Sequence, residues 1–248
     1  MTFGYCKLCG KYKKLCKAHI VPKAFYNSIK RLDNANFLYV HDGSQRNAYK
    51  SRSGEWDDSI LCQECDNKLG IYDNNFFQFI TKTDFSSFRK SLDGEYYYEL
   101  PVNETEYKNI KLFFISLLYR ASLSNRSFSR NVRLGEQYEQ LASTCLKDVN
   151  PHQIEFDVVM MKLHSNKTDT RQSMEAPYRI KLDGINGYCI ILHGFKFWIK
   201  VDKRPIPELL KTFVLSLNKT YIAETLYENT NDYRASIDLV KKLYHKQK

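Results

Sequence analysis

The first 31 residues contain no aspartate and no glutamate. Lys7, Lys11, Lys13, Lys14, Lys17, Lys23, Lys30 and Arg31 stand there unopposed, so this end of the chain is expected to attract anions. No apolar run approaches the roughly 20 residues that a membrane-spanning helix needs. The most apolar stretches, residues 112–119 and 188–192, are short enough to be core, and no membrane partner is expected. The sequence shows no signal-peptide pattern, no repeat at solenoid spacing and no low-complexity tract. Its cysteines number seven, an odd count, and four of them are paired at metal-ligand spacing. That argues against a disulfide framework and for a reducing, cytoplasmic setting.

The 248 residues are 43% hydrophobic and 14% aromatic, which is enough for a packed core. The formal net charge is +10. A basic balance of this size favours an anionic partner, and nucleic acid is the commonest one. Charge of this kind suits DNA and RNA alike. Lys11, Lys13, Lys14, Lys17 and Lys23 are the candidate phosphate contacts. A second copy of the chain, or a partner protein that controls it, is compatible with the sequence.

Two knuckles organise the N-terminal third: Cys6-Lys-Leu-Cys9 and Cys62-Gln-Glu-Cys65. Thiolates at i and i+3 reach one tetrahedral ion because the turn between them points both sulfurs inward. Two such pairs, with Gly10 just after the first, predict a structural zinc held by Cys6, Cys9, Cys62 and Cys65. So short a module has little core of its own, and zinc is expected to supply much of its folding free energy. Cys16 reads as a substitute ligand or, given its lone position, as a small buried residue, and Cys145 and Cys189 are scattered.

Secondary-structure signals divide the chain in two. Residues 1–80 read as a knuckle hairpin, a helix starting at Pro22 and a helix from Leu61. A weakly alternating stretch spans 36–41, and 51–58 reads as a loop or short strand. Residues 81–248 read as an α+β unit. A Tyr-rich strand at 95–100 precedes helices over about 104–148. Strands follow over about 154–201, and helices close the chain over about 207–245 (207–217 and 235–245).

Between the knuckles lies Ala18-His19-Ile20-Val21-Pro22, and the second knuckle is bracketed by Gly54-Glu-Trp-Asp-Asp-Ser-Ile-Leu and by Asp66-Asn67-Lys68. This layout resembles the zinc-bound branch of the HNH (ββα-metal) endonucleases, with treble-clef-like zinc. It is similar to a divergent bacterial group of the kind found in anti-phage defence. The run 112–122 (Leu-Phe-Phe-Ile-Ser-Leu-Leu-Tyr-Arg-Ala-Ser) also looks like a segment of that group. The resemblance implies an N-terminal ββα-metal module followed by a helical segment, a small antiparallel sheet and C-terminal helices. It also implies metal-dependent hydrolysis of DNA phosphodiesters. His19 takes the place of the general base, and a magnesium or manganese ion would stabilise charge on the scissile phosphate. Asp57 lies nearest the family's middle residue. Asp66 takes the place of its last residue, where a carboxylate suits a hard cation. Asp73, seven residues on, shares a face with Asp66 if the helix is continuous.

Ala18 departs from the pattern, because the residue before the base is an acid or histidine in the family. That departure favours an alternative: an inactive zinc fold that docks nucleic acid or protein. The remaining features read two ways. Arg120, Arg126, Arg130 and Arg133 form either a phosphate-binding surface or a solvated loop. Tyr96-Tyr97-Tyr98 form either a stacking platform or a half-buried strand.

Overall fold

A computed structural model describes residues 2–41, 48–172, 174–232 and 234. The chain begins with a hairpin, β1 (Phe3–Tyr5) and β2 (Tyr12–Lys14), which turns at the first knuckle. Strand β3 (Ala18–His19) leads into helix α1 (Lys23–Leu32). Pro22 stands at the N-cap of α1, where its missing N–H costs nothing. Strands β4 (Leu38–His41) and β5 (Ala48–Ser51) pair with each other, and β6 (Trp56–Asp57) returns to pair with β3. Helix α2 (Gln63–Lys82) then starts at the second knuckle.

Strands β7 (Arg89–Leu92) and β8 (Glu95–Leu100) form a hairpin before helix α3 (Glu104–Leu123). Helix α4 (Glu136–Asp148) follows, then β9 (Val158–His164), β10 (Met174–Leu182), β11 (Ile185–Leu192) and β12 (Phe195–Lys200). Helix α5 (Glu208–Lys211) and β13 (Thr220–Leu226) complete the described elements.

The architecture is α+β, as expected, but its sheet is larger than the sequence indicates. Seven strands run in the order β10-β11-β12-β9-β13-β8-β7. The sheet is mixed rather than antiparallel, because β13 lies parallel to β9 while pairing antiparallel with β8. The helix expected over 207–217 shortens to α5. The backbone beyond it is captured by β9 instead: Leu215 N–H donates to Val158 O at 2.8 Å, and Val214 bridges Val159. The β-branched and aromatic run Thr212-Phe213-Val214 favours that extended pairing. The helix expected over 235–245 lies outside the described residues.

Helix α3 is the centre of the molecule. A capping box fixes its start, with Asn103 Oδ1 accepting from Glu106 N–H at 2.9 Å and Glu106 Oε2 accepting from Asn103 N–H at 3.0 Å. Every residue from Ile110 to Ser122 is buried, which is the signature of a helix enclosed on all sides. On one side it packs against α2 through Phe76, whose ring stacks on Phe113 at 4.1 Å. On the other, Phe114 meets Phe197 of the sheet at 4.7 Å. One continuous set of buried apolar side chains therefore runs from Cys6 and Leu8 to Phe197 and Ile222.

Phe76 also touches Phe25, Phe114 and Phe197, so it joins α1, α2, α3 and the sheet. Phe76→Ala is expected to cost about 3–5 kcal/mol of stability, the range for aromatic truncation in a core. Chemical denaturation followed by fluorescence measures it. A loss under about 1 kcal/mol would show that the two halves are held together elsewhere.

Candidate metal centre and histidine site

The four knuckle cysteines converge. The first knuckle is closed by Gly10 N–H on Cys6 O at 2.8 Å and Cys6 N–H on Lys11 O at 3.0 Å. Gly10 turns the chain at φ +72°, a left-handed value that glycine adopts without strain. Cys62 is the N-cap of α2 and Cys65 lies in its first turn. Two backbone bonds hold the knuckles together: Lys7 N–H to Ile60 O at 2.8 Å and Cys16 N–H to Leu61 O at 2.9 Å.

The four sulfurs lie within 4.8 Å of one another, with Cys9 and Cys62 at 4.0 Å. A tetrahedral zinc with Zn–S near 2.3 Å needs sulfurs about 3.8 Å apart, so the donor set fits that ion. Burial pushes the Cys6 thiol up, but hydrogen bonds from the knuckle backbones outweigh it and bring Cys6 down to about 7. Cys65 is driven upward by burial and by the neighbouring sulfurs. Four thiolates therefore share this volume only around a cation. Cys16 is outside the set, its thiol directed at Leu61 O and raised to about 11 by burial.

His19 is the second residue of β3 and lies opposite Trp56 of β6. Its Nε2–H donates to Ser53 O at 3.1 Å, since a carbonyl only accepts. That bond fixes the neutral tautomer and leaves Nδ1 as the acceptor, with no partner among the described residues. Burial, with Lys23 and Arg120 close by, holds the imidazole below its ordinary value. The carbonyl comes from a loop that only glycine can make. Gly54 has φ +82°, and a Cβ there would stand 2.2 Å from the Tyr26 ring.

The three expected acids have different fates. Asp57 is buried beside the β3–β6 pair and accepts from Ser59 N–H (2.9 Å), Ser59 Oγ (2.6 Å) and Ser124 Oγ (2.8 Å). Burial opposes its charge, but these bonds and Arg126 hold it below the usual carboxylate range. Asp73 gives both oxygens to Arg120, at 2.8 and 2.7 Å. Asp66, in the first turn of α2, makes no side-chain hydrogen bond among the described residues. Burial raises it, Arg120 opposes that rise and Asp73 adds to it. Asp66 and Asp73 thus both sense Arg120, but only Asp66 keeps free oxygens. Ala18 is fully buried against Asp57.

Among the described residues, the four cysteines are the one group of three or more potential ligands close enough to share an ion. His19, Asp57, Asp66 and Asp73 do not assemble into such a set.

No known protein family, curated protein or solved structure matches this chain.

Several features of the site are not evident from sequence. Arg120, which the sequence groups with the loop arginines, is 1% exposed and donates to His19 O at 2.8 Å as well as to Asp73. It ties β3, α2 and α3 into one unit. A signal for this role exists, since a lone arginine in an apolar helix needs a buried partner.

Phe3, Tyr5 and Tyr12 are 61, 68 and 62% exposed on the knuckle hairpin. Tyr12 lies 6.4 Å from Phe3 and 5.3 Å from Tyr5, so the three form a row beside the exposed Lys11 and Lys14. Of the expected phosphate-binding lysines, Lys17 and Lys23 are also exposed, whereas Lys13 is bound to Glu64 at 2.7 Å. Lys17 and Arg126 flank Trp56, at 4.3 and 5.1 Å from its ring. These three groups extend the basic surface toward His19, and a cleft of about 340 Å³ opens beside Trp56, Arg126 and Tyr49.

Two outcomes are expected. The purified protein carries one zinc per chain by elemental analysis, and Cys6→Ser or Cys65→Ser yields metal-free, poorly folded protein. Well-folded, zinc-free wild type would refute the site. Asp73→Asn leaves the Arg120 charge buried and unpaired, and should cost about 3 kcal/mol or more in a thermal or denaturant melt.

Proposed function

We infer that the chain is a divergent ββα-metal endonuclease that hydrolyses DNA phosphodiester bonds. The observation that supports this reading most is the state of His19. Its ring is neutral, fixed in one tautomer by Ser53 O and free to accept a proton at Nδ1. It stands at the end of a strand whose partner leads into a helix bearing Asp66, and the four-cysteine cluster pins that helix start. In this role His19 takes a proton from the attacking water. A magnesium or manganese ion would supply charge stabilisation at the scissile phosphate. Asp66 is the one expected acid with free oxygens, and such ions are often held by one or two carboxylates plus substrate phosphate and water. Arg120 and Asp73 act as positioning groups that hold the His19 backbone. The exposed lysines and the row of Phe3, Tyr5 and Tyr12 grip the backbone and bases.

A second reading is a zinc fold that binds nucleic acid without cutting it. The buried Ala18 and the capture of Asp73 by Arg120 favour it, because both remove ligands from the expected metal position.

Plasmid nicking with magnesium or manganese separates the two. Wild type is expected to cut, and His19→Ala to lose activity by about a hundredfold or more while retaining zinc and DNA binding. Asp66→Ala should regain activity in part at higher metal concentration. The acid limb of the rate profile is expected below about pH 6.5, because His19 protonates at a lower pH than an ordinary imidazole. The same shift makes the fold lose stability as pH falls below that value, since the unfolded chain takes up the proton more readily. Equal rates for His19→Ala and wild type would end the assignment of His19 as base. No cutting under any metal condition would leave the binding reading.

DNA affinity should fall with salt. Replacing Lys11, Lys14 and Lys17 by Gln should flatten the log–log slope by about 0.9 for each phosphate no longer neutralised. An unchanged slope would place the nucleic-acid surface elsewhere.

A further inference from the structure

The second half of the chain holds a cleft that shares no residue with the cysteine cluster or with the His19 site. It lies between the connection from α3 to α4, the first turn of α4, and the ends of β10, β11 and β12. Its volume is about 400 Å³, inside the range of roughly 300–1,000 Å³ usual for small-molecule sites.

Four cations line it: Arg133, Arg179, Lys203 and Arg204. The single acid in the lining, Asp202, is already neutralised. Arg204 grips it through Nε at 2.9 Å and Nη2 at 2.7 Å, and Asn186 donates to it from its backbone at 3.1 Å and its side chain at 2.9 Å. With that pair set aside, Arg133, Arg179 and Lys203 remain as uncompensated positive charge around one concave volume. All three side chains are exposed, and all three line the same hollow.

The cleft is also built in advance. The Tyr188 hydroxyl donates to Arg133 O at 2.7 Å and accepts from Arg133 N–H at 3.1 Å, so the Arg133 backbone is fixed to β11. The Arg133 guanidinium is tethered through Nη1 to Val132 O at 2.7 Å, and Arg179 is held by Asn186 at 3.2 Å. The Lys203 ammonium makes no hydrogen bond or ion pair among the described residues and stays available. Tyr138, half-buried against Phe156, adds a flat ring to the wall.

We propose that this cleft binds a small molecule bearing a di- or triphosphate, of the nucleotide class. Guanidinium forks match phosphate oxygens in pairs, and three spaced cations suit more than one phosphate. The tyrosine face and the guanidinium planes offer stacking to a base. A nucleic-acid duplex fits poorly, because its phosphates lie on a convex cylinder and these cations line a hollow.

The test is calorimetric titration of the intact protein with ATP and, separately, with inorganic triphosphate. Saturable binding of either, at one equivalent, is expected; tighter binding of ATP shows that the ring contributes, and equal binding that the phosphates alone are read. Lys203→Glu and Arg179→Glu, both exposed and neither in the core, should each weaken binding at least tenfold with an unchanged melting temperature. Lys181→Glu, exposed on the same strand but outside the cleft, should leave it unaltered. No saturable binding at millimolar concentration overturns the proposal. So does an equal loss in Lys181→Glu, or displacement of ATP by a DNA duplex whose own binding falls in the same variants. None of these readouts depends on cleavage, so they stand apart from the fate of the nuclease reading.

Discussion

Arg120 determines how the N-terminal elements sit on the rest of the molecule. Its guanidinium is buried in the last turn of α3, where an unpaired charge would be prohibitive. It is satisfied by Asp73 of α2 and by the carbonyl of His19 in β3. The strand that carries the candidate base is therefore anchored by a charge on a helix a hundred residues later in the sequence, |i−j| = 101. Asp57 repeats the arrangement one strand over, accepting from Ser124 just beyond the end of α3. The histidine site is thus seated on the central helix, and the second knuckle is bonded to the chain just before it, Leu61 to Cys16 and Cys62 to Leu15.

This seating explains what is legible in the sequence. The cysteine spacing is a local pattern, and the four sulfurs meet as that spacing implies. Helices α2, α3 and α4 carry sustained periodicity over many turns and are legible for that reason. Strand β13 is not, because Thr220–Leu226 is defined by neighbours on both sides, β8 and β9, that lie far away in sequence. The fate of Asp73 is equally hidden. Its place on the Asp66 face of α2 follows from helix geometry, but its partner is 47 residues distant and reads as a loop arginine. Short-range signals specify elements; the pairing of buried charges is a property of the assembled core.

The connection from α3 to α4 serves both halves of the molecule. At its start Ser124 bonds Asp57, near the histidine; at its end Arg133 and Leu134 enter the arginine-lined cleft. From the last turn of α3 the Ser122 hydroxyl donates to Glu139 and accepts from the Leu134 N–H, which closes the connection onto both helices. Two chemically distinct hollows thus depend on one short piece of backbone, while sharing no side chain.

The position of β13 has a consequence for the order of events at the ribosome. The knuckles, His19 and α2 are synthesised first, but the sheet that encloses α3 has an empty lane between β9 and β8 until residues 220–226 have emerged. Before then β8 and β9 each present an unpaired edge. The β7–β8 hairpin therefore joins strands β9–β12 only once β13 has been made, whereas Asp73 and His19, the partners of Arg120, precede it in the chain.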